Sequence, residues 1–443
     1  MSTTNRGADP TPHFGVHRVL IVGGGAGGLE LATRLGRCLR PPQAEVMLVD
    51  ASLTHVWKPL LHEVAAGSLD TGNNELDYLA HAHKHGFQFH LGVMEGLDRA
   101  HKQIRLKAMH DEDGQLIAEA RVLHYDTLVM AVGSEVNDFH TPGVHEYALC
   151  LNTVADARRL HKRILLQCLR LNEGTPVAPH IAIIGGGATG VELATELCDT
   201  MTEYSIHASS NKPLRTRITL IEASPDLLPN LPPPLRDKVR HELTERGIQV
   251  MTGQRVEEVT TRGVRIAGGS SLSAQIVIWA AGVKAPEWLT QLDGLACNKV
   301  NQLLVTPTLQ TTEDRDIFAM GDCAACSPPG RDKPVPPLAQ AAHQQAQYLA
   351  RVIPMHVQGR TDLRGFVFHD HGSLVSLGPD RAVGTLIGAI TGHHFQVDGL
   401  LARLSYWTLY RGYLMALHGW LRMLATTFGS WLTHSTKSRV KLH

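Results

Sequence analysis

The sequence holds no uninterrupted run of 18 apolar residues, so no membrane-spanning helix is expected. Residues 1–16 are polar, with Pro and Gly and no apolar segment; a disordered N-terminus without a signal peptide is expected. Net charge is missing too. Forty-two Lys and Arg balance 42 Asp and Glu, which excludes a generic polyanion binder and makes a nucleic-acid partner unexpected. Cysteine is sparse and irregular. Cys38, Cys150, Cys168, Cys198, Cys297, Cys323 and Cys326 are odd in number and scattered, a pattern for a reducing compartment rather than a disulfide framework. The 26 His include HAHKH at 81–85 but no HExxH frame. No second CxxC joins Cys323–Cys326, so no catalytic or structural metal is expected.

What the chain does have is length and an internal repeat. At 443 residues it exceeds one ordinary core, and two or three domains are expected. His17–Leu35 reads HRVLIVGGGAGGLELATRL and His180–Leu197 reads HIAIIGGGATGVELATEL, with glycines offset by 162. Each copy opens on a β-branched run typical of a buried parallel strand. Each then gives GxGxxG, at Gly23, Gly25 and Gly28 and at Gly185, Gly187 and Gly190. The first glycine allows a tight turn, the second lets backbone approach a pyrophosphate, and the third lets helix and strand pack closely. Phosphates then sit at a helix N-terminus, where free N–H groups favour anions.

An acid should end the next strand and meet ribose hydroxyls. Asp50 stands 22 residues past Gly28, and Glu222 stands 32 past Gly190. The longer gap implies an insertion at the polar stretch Ser205–Leu214. A carboxylate at Glu222 would repel a 2′-phosphate, so NAD(H) is expected over NADP(H). Three further strand ends carry small residues: TLVMAVG ending at Gly133, IVIWAAG ending at Gly282, and TEDRDIFAMGD ending at Gly321–Asp322. Alone, the first two read as ordinary punctuation between strand and loop. Asp322 can accept hydrogen bonds from polyol hydroxyls.

Two dinucleotide folds, the second inserted in the first, followed by a late Gly-Asp, resemble the two-dinucleotide-binding-domain flavoproteins. Four segments narrow the likeness: HVWKPLLHEVAAG (55–67), WAAGVKAP (279–286), AQAAHQ (339–344) and HGSLVSL (371–377). With them the chain resembles the bacterial type II NADH:quinone oxidoreductases, respiratory NADH dehydrogenases that do not pump protons. The resemblance implies tightly held, non-covalent FAD at the first turn and NADH as substrate at the second. Electrons then pass through FAD to a membrane quinone. It also implies that Gln340 and Gln344, one helical turn apart, offer uncharged amides to quinone carbonyls, and that Glu192 lies near nicotinamide and flavin. Glu192 also reads as an ordinary helix-N-terminal acid, because Glu30 holds the same register in the first copy. Lys58 could meet cofactor oxygens or be a solvated loop Lys. His371 takes no assigned role.

Cys323-Ala324-Ala325-Cys326 invites a redox reading, but it continues directly from Gly321–Asp322. No C-x4-C follows the first turn, which excludes a flavin disulfide reductase. A sulfide:quinone-type enzyme would need paired cysteines at the flavin and no second nucleotide site. A soluble NADH:electron-carrier reductase and a non-catalytic NADH sensor are the remaining alternatives.

Acids vanish from residue 399 onward, where six Lys or Arg stand alone; the rest of the chain carries 36 basic and 42 acidic residues. The same stretch holds seven of 23 aromatics. Trp407, Tyr410, Leu414, Leu417, Leu421, Leu424, Phe428 and Trp431 recur at spacings of three and four, the pattern of an amphipathic helix. Arg403, Arg411, His418 and Arg422 flank that face, which suits peripheral, monotopic attachment to an anionic lipid surface on the cytoplasmic side of the bacterial inner membrane. Lys437, Arg439 and Lys441 would each add about 1 kcal/mol there. A helix docked on the body and a homodimer helix fit the same spacing.

The expected fold is therefore α/β, two Rossmann-like dinucleotide-binding domains with a C-terminal amphipathic region. The expected segments are 17–150 and 291–355 for FAD, 151–290 for NADH and 356–443 for membrane-anchoring helices. Deleting residues from 399 onward should leave a flavoprotein that reduces water-soluble acceptors but no longer sediments with membranes. Retention of that truncation on membranes would defeat the anchor.

Overall fold

The computed structural model describes residues 15–69, 75–111, 113–172, 179–207, 216–328, 334–378, 381–387 and 394–399. In chain order its main elements begin with β1 (His17–Val22), α1 (Ala26–Cys38), β2 (Ala44–Asp50), α2 (Leu61–Ala66) and α3 (Tyr78–His85). There follow β3 (Gln88–Leu91), β4 (Thr127–Met130), β5 (Glu135–Val136), β6 (Leu149–Cys150) and α4 (Val154–Asn172). The second repeat contributes β7 (His180–Ile184), α5 (Ala188–His207), β8 (Arg217–Ile221), α6 (Pro233–Glu245), β9 (Gln249–Met251), β10 (Ile276–Trp279) and β11 (Val283–Lys284). The chain closes with β12 (Ile317–Ala319), α7 (Ala339–Val357), β13 (Gly372–Ser376), β14 (Ala382–Ile387) and β15 (His394–Asp398).

Two parallel five-stranded sheets carry the architecture. Their orders are β12-β4-β1-β2-β3 and β6-β10-β7-β8-β9. The glycine-turn strand is central in both. The chain leaves the first sheet after β4, builds the second, and returns to supply β12, so the second fold is inserted in the first. Antiparallel pairing of β5 with β11 joins the outgoing and returning connections. Of the expected segment limits, 150 falls at the end of β6, already an edge strand of the second sheet.

Strand alternation explains the layers. In β1, Val19 and Ile21 join α1 and α7 in one core, whereas Leu20 and Val22 face an antiparallel meander with Met94, Ile104 and Leu106. In β7, Ile181 and Ile183 pack with the helices, and Ala182 and Ile184 meet Val256, Val264 and Ile266 of a second meander. Each sheet is thus covered on both faces, as a parallel sheet requires.

The expected insertion begins as helix, because α5 runs to His207; residues 208–215 lie outside the described part. In the expected C-terminal region α7 runs on to Val357, and the described part beyond it carries the antiparallel sheet β13-β14-β15. Val375, Leu377 and Val383 bury that sheet against the second domain's helices. The expected amphipathic helix, residues 400–443, lies outside the described residues. Among the described residues no helix is long and apolar enough to cross a membrane.

Candidate nucleotide and electron-transfer sites

The two glycine turns are built alike. Gly23 and Gly185 have φ of +104° and +115°, a region open to glycine. A Cβ on Gly28 or Gly190 would sit 1.9 Å from the carbonyl oxygen of Gly23 or Gly185. The middle glycines differ: a Cβ on Gly25 or Gly187 would meet nothing within 4 Å. Both turns therefore keep an open approach at that glycine, in front of the first N–H groups of α1 and α5. No side chain caps α1, so these donors face outward for an anion.

The acids lock the turns. Asp50 Oδ2 accepts from Gly24 N–H, and Glu222 Oε2 accepts from Gly186 N–H, both at 2.6 Å. Their other oxygens accept from Ser52 N–H at 2.8 Å and Ser224 N–H at 2.7 Å. Burial pushes the Asp50 carboxyl up, and these N–H groups pull it back.

Around the first turn, β12 runs into Gly321–Asp322. Asp322 Oδ2 accepts from the Ser134 hydroxyl at 2.6 Å, and Lys58 Nζ donates to Ser134 O. Burial pushes the Lys58 ammonium down, opposed by Asp322. Gly133, with φ +74°, has open space where a Cβ would project. Gly282 is different, because a Cβ there would strike the Phe139 ring at 2.6 Å. Its lack of a side chain seats that ring. Gln345, absent from the sequence reading, is 1 % exposed and accepts from Gly321 N–H at 2.6 Å. Asp50, Lys58, Gly133, Ser134, Gly321 and Asp322 fit a flavin dinucleotide: N–H groups for its phosphates, carboxylates for its hydroxyls.

Gln340 and Gln344 share the exposed side of α7, but their amides are engaged. Gln340 donates to Asp370 Oδ1 and Gly372 O and accepts from His371 N–H. Gln344 donates to His369 O and accepts from His369 N–H. Among the described residues Gln340 has acceptors for both amide hydrogens, whereas Gln344 has one for a single hydrogen. His371 thus contributes its backbone.

Glu192 lies 7 % exposed in α5. Its Oε1 accepts from Ser376 N–H at 3.0 Å, and its Oε2 stands 3.6 Å from His62 Nδ1. Burial pushes its carboxyl up to about 8, with Glu63 and Glu196 adding to the shift and Ser376 N–H opposing it. His62, Glu63 and Glu196 escaped the sequence reading, although His62 and Glu63 sit in HEVAAG and Glu196 is one helical turn beyond Glu192.

The CxxC thiols are free and buried. Burial pushes Cys323 up to about 12 and Cys326 up to about 11, far from a nucleophilic thiolate. A cavity of about 350 Å³ lies elsewhere, between the connecting strands, lined by Glu135, Asp138, His145 and Lys284. Asp138 is already paired there with Lys284 and His145, and no glycine turn opens into it.

Two stacked dinucleotide folds with matched turns define an α/β oxidoreductase of the two-nucleotide class. Residues 17–346 match the pyridine nucleotide-disulphide oxidoreductase family. A type II NADH:quinone oxidoreductase of Haemophilus influenzae is 39 % identical, covering 96 % of this chain and 99 % of that one. The chain belongs to the pyridine nucleotide-disulphide oxidoreductases and, within them, to the type II NADH:quinone oxidoreductase family. A Plasmodium falciparum NDH2 solved with NADH superposes with a TM-score of 0.81 at 20 % identity, covering 96 % of this chain and 100 % of that one. The sulfide:quinone oxidoreductase of Aquifex aeolicus superposes with a TM-score of 0.70 at 17 % identity, covering 95 % of each chain. The fold alone does not separate these two chemistries.

The Glu192 environment has a consequence for stability. Below pH 4.5, its ordinary value, the carboxyl is protonated whether folded or unfolded. Between 4.5 and about 8 the folded carboxyl keeps its proton and the unfolded one loses it, so stability falls as pH rises through that window. Glu192→Gln should flatten the decline by up to about 1.4 kcal/mol per pH unit, read by urea unfolding across the window. An unchanged slope would refute the buried, protonated state.

Proposed function

We propose that the chain oxidises NADH and reduces a membrane quinone through FAD, as a peripheral enzyme on the cytoplasmic face of the membrane. The observation that carries this is the doubled turn, each copy open at its middle glycine and locked by its own carboxylate. Family membership supports the donor and acceptor. A sulfide-oxidising chemistry finds no support in Cys323 and Cys326, whose thiols are buried and unactivated.

FAD, when bound, supplies the hydride acceptance and two-electron delivery. The first turn, Gly23, Gly25 and Gly28, would hold its pyrophosphate on the N-terminus of α1. Asp50 and Asp322 would take ribose and polyol hydroxyls, and Gly133 and Gly321 would leave room for the ring. Lys58, already partly desolvated and bonded to Ser134 O, would keep positive charge beside them. Gly185, Gly187 and Gly190 would hold NADH, with Glu222 on its ribose. Gly282 would act less directly, by seating Phe139.

Gln344, with its remaining hydrogen, is the better quinone donor. Gln340, both hydrogens spent, would fix the 369–372 segment beside it. Glu192 would hold a proton close to where charge changes. The basic, aromatic segment beyond 399 would attach the enzyme to anionic lipid, and its spacing also admits a second copy of the chain as partner.

FAD-loaded protein in lipid vesicles should consume NADH only when quinone is added, with the flavin colour bleached by NADH. Bleaching by sulfide but not by NADH would favour the rival chemistry, and bleaching without turnover would favour a sensor. Discrimination against NADPH should reside in Glu222. Removing one like-charge opposition is worth more than 1 kcal/mol, so Glu222→Ala should narrow the NADH-to-NADPH ratio of kcat/KM by about tenfold or more. An unaltered ratio would place the selectivity elsewhere.

A further inference from the structure

A buried carboxyl that exchanges a proton needs a route to water, and α2 packs against α5, the helix that carries Glu192. His62 is 2 % exposed. Its Nδ1 stands 3.6 Å from Glu192 Oε2, and its Nε2 stands 4.0 Å from Glu63 Oε1. One ring nitrogen thus faces each carboxyl. The Glu63 side chain is 26 % exposed, against 9 % for Glu192, so the outer end of the row reaches water.

The tautomer is also set. His62 bonds to the backbone of Pro59; Pro has no N–H, so its carbonyl accepts from the ring. Nε2 has no hydrogen-bond partner among the described residues, which leaves Nδ1 as the donor and Nε2 bare. Burial pushes the imidazole down to about 4, keeping it neutral, and pushes Glu63 up to about 8, with Glu196 adding to the shift. The other titratable groups facing this row are Glu196, which accepts from the Ser68 hydroxyl at 3.0 Å, and His161 of α4, whose ring lies against Gly67. Among the described residues no Lys or Arg is ion-paired with Glu63 or Glu192.

We infer that Glu63 and His62 form a proton relay from solvent to Glu192. The inference rests on the proposed role of Glu192. When Glu192 is a carboxylate, Nδ1–H turns from the Pro59 carbonyl to Glu192 Oε2; the Nδ1–H bond breaks and an O–H bond forms on that oxygen. Nε2 takes the proton of Glu63 Oε1, and Glu63 regains one from water. One proton leaves solvent, one reaches Glu192, the ring stays neutral and no electron moves; the same steps in reverse, which carry the Glu192 proton back to Nδ1 and the Nε2 proton out to Glu63 and water, restore the first tautomer. Both gaps exceed a hydrogen bond by less than an ångström, a distance that side-chain torsion or one bridging water covers.

The test reads the proton itself. In the FAD-loaded full chain, the infrared carbonyl band of a protonated carboxyl that disappears in Glu192→Gln belongs to Glu192. Transfer to heavy water shifts that band as its proton exchanges. His62→Gln keeps a polar side chain but cannot pass a proton between two ring nitrogens, and Glu63→Gln removes the outer acid. Each should slow exchange by about 100-fold, the scale of general acid–base assistance, with FAD content unchanged and cooperative unfolding retained. Exchange as fast as in the parent in both variants overturns the relay, as does full rescue by His62→Gln where His62→Phe is slow. If exchange slows as expected while Glu192→Gln turns over quinone normally, the relay stands and the proposed role of Glu192 falls.

Discussion

A carboxylate at the end of one strand, gripping a backbone N–H in the turn that leaves its neighbour, shapes both nucleotide sites. Asp50 does this to Gly24 and Glu222 to Gly186, at the same 2.6 Å. A hydrogen bond to a charged group contributes about 1.5–3 kcal/mol, enough to hold a glycine-rich turn that would otherwise sample many conformations. The grip also aims the acid. With its oxygens committed to the turn and to the following loop, the carboxylate has one place to stand, beside the open middle glycine. The proposed ribose recognition and rejection of a 2′-phosphate would follow from that position, at the carboxyl ends of the strands.

The sheets reproduce each other's order, and the differences between them serve the connection. The first sheet takes its edge strand, β12, from after the insertion, whereas the second takes β6 from before it. A third tie was unforeseen. The segment 369–377 is held at one end by Gln340 and Gln344 of α7 and at the other by Glu192 and Arg246 of the second fold. The residues that the resemblance assigns to quinone and to nicotinamide therefore contact one short stretch of backbone. These hydrogen bonds go to main-chain atoms of the segment, so substitution of its own side chains would not remove them.

What the sequence disclosed was local. A turn of three glycines, the strand before it, the helix after it and an acid some 22 residues beyond Gly28 all lie within one βαβ unit, and each has a steric or electrostatic reason to be there. What it hid was distant. Glu192 and Ser376 are separated by 184 positions, and Gln340 and Gly372 by 32; no periodicity announces such pairs. Residues 372–376 read as a motif without a fold, because a five-residue strand with glycine at its head has little pattern of its own. Gln345 was passed over for its neighbour Gln344, since only the three-dimensional turn of α7 shows which amide points at Gly321. His62 and Glu63 lay in plain view in HEVAAG, and only burial distinguishes them from a solvated helix end.

The repeat also shows how one register position acquires two uses. Glu30 and Glu192 each stand two residues past the third glycine of their turn, and their shared position argued for a common structural role. Their surroundings part them. Glu30 is 0 % exposed and takes Arg34 Nε at 2.8 Å and His343 Nδ1 at 2.6 Å. Its partners come from α1 and α7, a contact that joins those helices. Glu192 has a backbone N–H, a neutral imidazole beyond hydrogen-bond reach and two further carboxyls nearby. A carboxyl desolvated among further carboxyls, as Glu192 is, keeps its proton near neutral pH and can release it. The repeat places the same side chain twice, and the neighbouring helix sets its surroundings: α7 brings His343 to the first, while α2 brings Glu63 and a desolvated His62 to the second. The capacity for proton exchange at Glu192 is thus a property of the α2–α5 interface, and no feature of the glycine motif alone would create it.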